Sequence, residues 1–424
     1  MLHALAPGLA PMRHWHRLPT SMSHPAPATP ELLQWQEAEQ ARSARWHSER
    51  GAPPPRRVVL ADDTLPADTA YRLANEGTAL LWRGDFQNAR HLLQALARRA
   101  DKPRRRPTKP LEADAHGNDP AAAFHLHRQA QAQRARVLGS VLIELQGDYS
   151  ITLRRAPDWR AAIAEAWGPP QGTAAETSVA SLRELLGLVS AHEWRKRGVP
   201  IAALGPPPHN RIHPHYGVFS PVRGEYLPLV AEAPLPEVLR SGGKAFDIGT
   251  GTGVLAALLA RRGLDVVATD TDPRALACAA DNLARLKLSA RVELQPVHLF
   301  PPGRAGLIVC NPPWLPARPG SPLERAVYDE DSAMLRGFLQ GLASHLAPGG
   351  EGWLILSDLA EHLGLRTREA LLQMIETAGL QVLGRIDTRP LHPKALDSSD
   401  ALHIARAAEV TSLWRLAAQP AGAT

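Results

Sequence analysis

The stretch KAFDIGTGTGVLAALLARRG, residues 244–263, most narrows what this chain can become. A short β-rich run enters a turn with glycines at 249, 251 and 253, and an apolar run leaves it. Glycines at this spacing let strand pass tightly into helix and let a ligand approach the backbone. VLAALLARRG reads as that helix, ended by Gly263. The alternation then continues. DVVATD, RVELQPV, GLIVC and EGWLILSD read as strands. PRALACAADNLARLKL, SAMLRGFLQGLASHL and REALLQMIETAG read as helices between them. Such alternation predicts a mostly parallel sheet covered on both faces. QVLGRID and EVTSLWRLA are joined by a long loop instead of a helix, which predicts an antiparallel hairpin at one edge.

Three polar features fall at the carboxyl ends of these strands, where ligands of parallel sheets collect. Asp247 opens the glycine turn, whose GxGxG spacing differs from the full GxGxxG fingerprint. Asp270 ends the next strand, where an acid can accept hydrogen bonds from ribose hydroxyls. Asp272 precedes Pro273 at a helix start and reads as a cap. The third feature is Asn311-Pro312-Pro313-Trp314, a rigid elbow after GLIVC that can continue neither a helix nor a central strand.

Residues 217–415 resemble class I S-adenosylmethionine-dependent methyltransferases. The nearer likeness is to the small methyltransferase group, which includes release-factor glutamine methyltransferases and several ribosomal-RNA base methyltransferases. The resemblance rests on Gly217-Val218-Phe219-Ser220-Pro221, Asp247 through Gly253, Asp270, Asn282, Asn311 through Trp314, and LAPGG at 346–350. It implies a Rossmann-like α/β fold with a seven-stranded, mostly parallel sheet and an antiparallel edge hairpin. It also implies that Asp247, Gly249, Thr250, Gly251 and Gly253 hold the amino-acid part of the cofactor and that Asp270 binds its ribose. Phe219 would line the cofactor pocket. Asn311 and the Pro312 carbonyl would accept hydrogen bonds from the nitrogen to be methylated. Pro313 stiffens the elbow, and Trp314 would stack on a flat substrate or border its slot. Two positions depart from the family. His298 stands where relatives place an acid against the adenine amino group, and Gly306 where they often have Asp.

The elbow suits the chemistry. Methyl transfer from a sulfonium is an in-line displacement, so much of the catalysis is orientation. A planar nitrogen has its lone pair delocalised into a π system. Two acceptors gripping its N–H bonds favour positive charge on nitrogen and aim the lone pair. Neither a metal nor a cysteine nucleophile is required, and the proton can leave afterwards. The elbow does not decide which planar nitrogen is the acceptor; the resemblance implies a protein glutamine side chain or the exocyclic amine of a base in structured rRNA or tRNA, with DNA ranked lower and a small molecule left open. A non-catalytic cofactor-binding or RNA-interaction protein on a degenerate fold is the alternative, and His298 is its best support.

Composition bounds the rest. The 424 residues suffice for two domains or more. Two cysteines, Cys278 and Cys310, lack metal-ligand spacing and fit a reducing, cytoplasmic setting. No run approaches about 18 uninterrupted apolar residues, so no membrane span is expected. Residues 1–216 carry 28 Lys and Arg against 20 Asp and Glu, while 217–424 carry 20 against 22. The positive excess lies wholly in the first half, which suits either a polyanion or a soluble arginine-rich surface.

Residues 1–29 read as a disordered leader, 30–100 as a helical accessory segment, 101–119 as a charged linker, and 120–216 as a mixed α/β accessory region. The catalytic domain is expected at 217–418. Within the first half, 31–50 and both parts of 67–99 read as helical, with Asp85 as a cap. Residues 140–155 read as a hairpin.

Overall fold

The structure is a computed structural model. It describes residues 31–102, 119–170, 176–221, 224–320, 323–390, 397 and 400–420. The expected leader and most of the expected linker lie outside them.

Two sheets organise the chain. The first half runs β1 (Leu32–Glu37), β2 (Gln40–Trp46), β3 (Arg57–Ala61), α1 (Ala67–Asn75), β4 (Thr78–Trp82), α2 (Phe86–Ala100), α3 (Pro120–Leu138), β5 (Val141–Leu145), α4 (Arg160–Trp167), β6 (Ser178–Ser181) and α5 (Leu182–Arg197). Its six strands lie in the order β1-β2-β6-β5-β4-β3, with β3, β4 and β5 mutually parallel. Helical residues outnumber strand residues here, but the sheet itself departs from the sequence reading. Residues 31–50 form a hairpin, not a helix. Leu33 and Trp35 are buried while Leu32 and Gln34 are exposed, a period of two hidden under helix-favouring Ala, Glu and Gln. Ala38 and Glu39 make the turn at φ 49° and 63°. TALLW is buried at every position, so periodicity could not separate it from helix. The expected hairpin at 140–155 supplies only β5. Its antiparallel partner is β6, far along the chain.

The second half begins with the short pair β7 (Val199–Pro200) and β8 (Arg211–Ile212), then α6 (Leu227–Glu232), β9 (Lys244–Ile248), α7 (Val254–Arg261), β10 (Asp265–Thr269), α8 (Pro273–Arg285), β11 (Val292–Gln295) and β12 (Ala305–Cys310). It ends with α9 (Ala333–His345), β13 (Leu346–Ser357), α10 (Leu359–His362), α11 (Arg368–Thr377), β14 (Leu380–Thr388), α12 (His403–Ala408) and β15 (Thr411–Ala418). The seven-stranded order is β11-β10-β9-β12-β13-β15-β14. The strands β9 to β13 are parallel, and β15 runs antiparallel to both β13 and β14. This is the sheet with an edge hairpin that the alternation predicts.

Each face of this sheet is sealed by its own apolar cluster. One gathers Leu255, Leu258, Leu259 and Leu307, the other Phe246, Ile308, Phe338 and Leu342. Val199, Ile201, Leu204 and Ile212 join the first of these, so its packing reaches upstream of residue 217. The two halves also touch directly. Arg195 pairs with Asp281 at 3.0 Å, and Arg274 with Glu49 at 3.4 Å. Among the described residues no helix is long and apolar enough to cross a membrane.

Candidate active site

Sheet register places the three polar features side by side. Ile248, the last residue of β9, pairs with Thr269 of β10 on one side and Cys310 of β12 on the other. Asp270 and Asn311 therefore leave the sheet on either side of Gly249, each about 5 Å away in strand spacing.

The glycine turn is shaped for a guest. Gly249, Gly251 and Gly253 have φ of 74°, 55° and 79°, the left-handed region that disfavours side chains. A Cβ at Gly249 would meet Met334 Cε at 2.5 Å, and one at Gly253 would meet Ala279 at 3.1 Å. A Cβ at Gly251 would meet nothing within 4 Å. Two of the glycines thus serve packing, while the middle one faces open space. Asn282 holds the turn from behind, donating from Nδ2 to the Thr252 carbonyl at 3.0 Å and accepting from the His213 N–H at 2.7 Å.

Asp247 is completely buried. Its Oδ2 accepts from the Thr250 hydroxyl at 2.7 Å and from the Ala256 N–H at 3.0 Å. Its Oδ1 is buried with no partner. Burial pushes this carboxyl up to about 6, against the two hydrogen bonds, and the nearby Asp270 charge adds to the rise. An orphaned buried carboxylate oxygen is costly unless a donor or cation arrives. The ammonium end of S-adenosylmethionine is such a group, so the residues fit it. Thr250 acts here through Asp247, a pairing the sequence did not reveal.

Asp270 is mostly buried, and burial raises its carboxyl above the ordinary range. Its Oδ2 accepts from the Gly251 N–H at 3.0 Å and its Oδ1 from the Asp272 N–H at 2.9 Å. Each oxygen keeps a further lone pair for a hydroxyl donor. Asp272 accepts from the Arg274 N–H at 2.8 Å, the cap expected of it.

In the elbow, Pro312 is buried while Asn311, Pro313 and Trp314 are half-buried. Trp314 Nε1 donates to Asn311 Oδ1 at 2.9 Å, and the indole packs against both core clusters. The hydroxyl of Tyr226, 4% exposed, lies beside the Asn311 side chain. Asn311 is therefore held by Trp314 and flanked by Tyr226, and its amide oxygen retains one acceptor direction. Tyr226 lies within YGVFSPVRGEYLPLV, but only tertiary packing brings it to Asn311.

Two expected residues lie toward solvent. Phe219 is 39% exposed. Its neighbour Val218 is the one that packs, against Ala275 and Cys278. His298 is exposed in the loop after β11. That loop is pinned by its neighbour, since the Thr269 hydroxyl donates to the Leu299 carbonyl at 2.6 Å.

The strand order and the polar groups at the strand ends are those that the resemblance to Rossmann-like S-adenosylmethionine-dependent methyltransferases implies. Residues 210–378 match the family model of the methyltransferase small domain. The chain is 34% identical over 175 residues to the release factor glutamine methyltransferase of Cereibacter sphaeroides, covering 38% of this chain and 58% of that protein. It is 35% identical over 155 residues to the ribosomal protein L11 methyltransferase of Pelotomaculum thermopropionicum, covering 36% and 42%. It is 32% identical over 142 residues to the ribosomal RNA small subunit methyltransferase C of Alcanivorax borkumensis, covering 33% and 40%. The chain spans about half the length of these curated relatives.

Proposed function

We propose that the protein transfers a methyl group from S-adenosylmethionine to a planar nitrogen, either a protein glutamine amide or the exocyclic amine of an rRNA or tRNA base. The observation that carries this reading is Asn311, held by Trp314 and flanked by Tyr226 at the strand end next to the glycine turn. S-adenosylmethionine, when bound, supplies an electrophilic methyl group. Asp247, through its free Oδ1, and the glycine turn hold the amino-acid end. Asp270 takes the ribose hydroxyls. Asn311 Oδ1 and the Pro312 carbonyl accept the two N–H bonds of the acceptor and turn its lone pair out of conjugation. Tyr226 and Trp314 are positioning residues, since they act through Asn311. His298 and Phe219 are given no role in this reading.

The relatives' names cover protein and RNA acceptors alike, which supports the nitrogen chemistry and leaves both acceptor classes within the proposal. Incubation with radiolabelled cofactor and undermethylated lysate tests it. Label released by ribonuclease assigns an RNA base, and label released by protease assigns a protein amide. Tight cofactor binding with no label in any fraction would overturn the reading in favour of a non-catalytic binder.

A further inference from the structure

The first half reaches the acceptor side of the site through α3. Phe124, 1% exposed, sits in a small apolar cluster with Leu315, Leu359, Ala360, Leu363 and Leu402. Leu315 directly follows Trp314, and Leu359 and Leu363 follow the end of β13. These segments and the loop between β14 and β15 all leave the sheet at the edge that carries Asn311, because β12, β13 and β14 run in the same direction.

One turn further along α3, on the same face, comes Arg128. Its Nη2 donates to the Arg318 carbonyl at 2.7 Å, and its guanidinium lies over the Tyr328 ring at 4.2 Å. Glu324 is 3.7 Å from the same nitrogen. The loop so gripped is closed on itself. Leu315 donates to the Val327 carbonyl at 3.1 Å, and the Asp329 N–H donates to the Leu315 carbonyl at 2.9 Å. Leu315 and Tyr328 are thus bridged to each other, and Leu315 is the residue after Trp314.

We propose that Arg128 and Phe124 make α3 the clamp of the acceptor slot, so that the first half positions the loop that borders the nitrogen to be methylated. This rests on the methyl-transfer reading given above. A guanidinium can stack on Tyr328 and bond the Arg318 carbonyl at once, which an ammonium on a flexible stem cannot do equally well. The clamp touches neither the glycine turn nor Asp270, so it acts on acceptor placement and not on the cofactor. It also gives the first half a reason to be joined to this domain: a wall of the slot comes from it.

The test compares the full-length protein with Arg128→Ala and Arg128→Lys. Hydrogen exchange is read over residues 315–328 and acceptor kinetics on the substrate fraction that takes label. The clamp predicts exchange at least about fivefold faster in that loop and an acceptor KM raised several-fold, with cofactor Kd within about twofold. Arg128→Lys should recover less than half of either effect. Full recovery by Lys would show that charge alone matters and overturn the stacking clamp. Unchanged exchange in both variants would overturn the proposal outright. If Arg128→Ala does not fold, Tyr328→Leu removes the ring from the other side and should give the same exchange pattern. Exchange is measurable even if the wild type transfers no methyl group, so failure of the methyl-transfer reading and failure of the clamp remain distinguishable.

Discussion

Two strand-to-helix turns, one in each half, bury a carboxylate at the end of a parallel strand, and they treat it in opposite ways. Between β4 and α2, Asp85 is 1% exposed. Arg155 bonds both its oxygens at 2.7 and 2.8 Å, Arg154 adds a bond at 2.9 Å, and the Gln87 N–H caps it at 2.9 Å. The Arg155 hydrogen bonds, against the cost of burial, hold this carboxyl down at about 2. At the end of β9, just before the turn into α7, Asp247 is equally buried, meets no cation among the described residues, has one oxygen without a hydrogen bond and is pushed up to about 6. A saturated carboxylate is part of the structure. A buried carboxylate oxygen without a hydrogen bond can still accept one from a donor that arrives. The contrast separates a scaffold turn from a binding turn better than burial does.

The sign of each shift follows. Asp85, with a depressed value, contributes stability that is present above the ordinary aspartate range near 4 and is lost as pH falls toward 2. Asp247, with a raised value, carries an ionisation cost that appears as pH rises from about 4 through 6. Between pH 7 and 5 only the second carboxylate takes up its proton.

The comparison can be broken or sharpened at four places. The largest effect is expected at the elbow beside the glycine turn. Asn311→Ala should lower kcat by about 10²- to 10³-fold, the scale of losing a transition-state acceptor, with cofactor affinity within about twofold. A single-turnover assay beside calorimetric titration checks this, and an unchanged kcat would remove Asn311 from the mechanism. Next comes Asp247 itself. Cofactor affinity should weaken about tenfold from pH 7 to pH 5 as Asp247 protonates, and Asp247→Asn should flatten that dependence at the weaker level. A pH-independent wild-type Kd would mean that Asp247 does not meet the cofactor's cation. Third, Tyr226→Phe removes the hydroxyl beside Asn311, a contact worth about 1 kcal/mol, and should cost kcat about fivefold while Asn311→Ala/Tyr226→Phe costs no more than Asn311→Ala alone. Additive losses would separate the two residues. Smallest for function is Asp85→Asn. It should speed hydrogen exchange at the start of α2 and leave cofactor affinity unchanged, and any loss of affinity would collapse the distinction between the two turns.

The sequence disclosed these turns unequally. Both caps and both glycine-bearing turns are local patterns, so Asp85 as a cap and Asp247 as a strand-end acid could be read directly. The arginines that saturate Asp85 lie 69 and 70 residues away, in what reads as a hairpin strand. Tyr226 meets Asn311 only because α6 packs under the sheet edge. Arg128 grips a carbonyl 190 residues downstream. Thr250 was legible as part of the turn, but its hydroxyl bond to Asp247 depends on backbone torsions that composition does not encode.

By itself the sequence determined the parallel sheet of the second half, its edge hairpin, the glycine turn and the Asn-Pro-Pro-Trp elbow. Each is written in short-range terms: a period of residues, a glycine where φ is positive, a proline where a strand must stop. Tertiary structure alone decided the six-stranded sheet of the first half, where buried runs such as TALLW have no period to read. It decided which oxygen of Asp247 is left without a partner, because that depends on what every surrounding element fails to supply. It also decided that α3 reaches the acceptor loop, since contacts across so much chain are set by packing between the halves and leave no mark on local sequence.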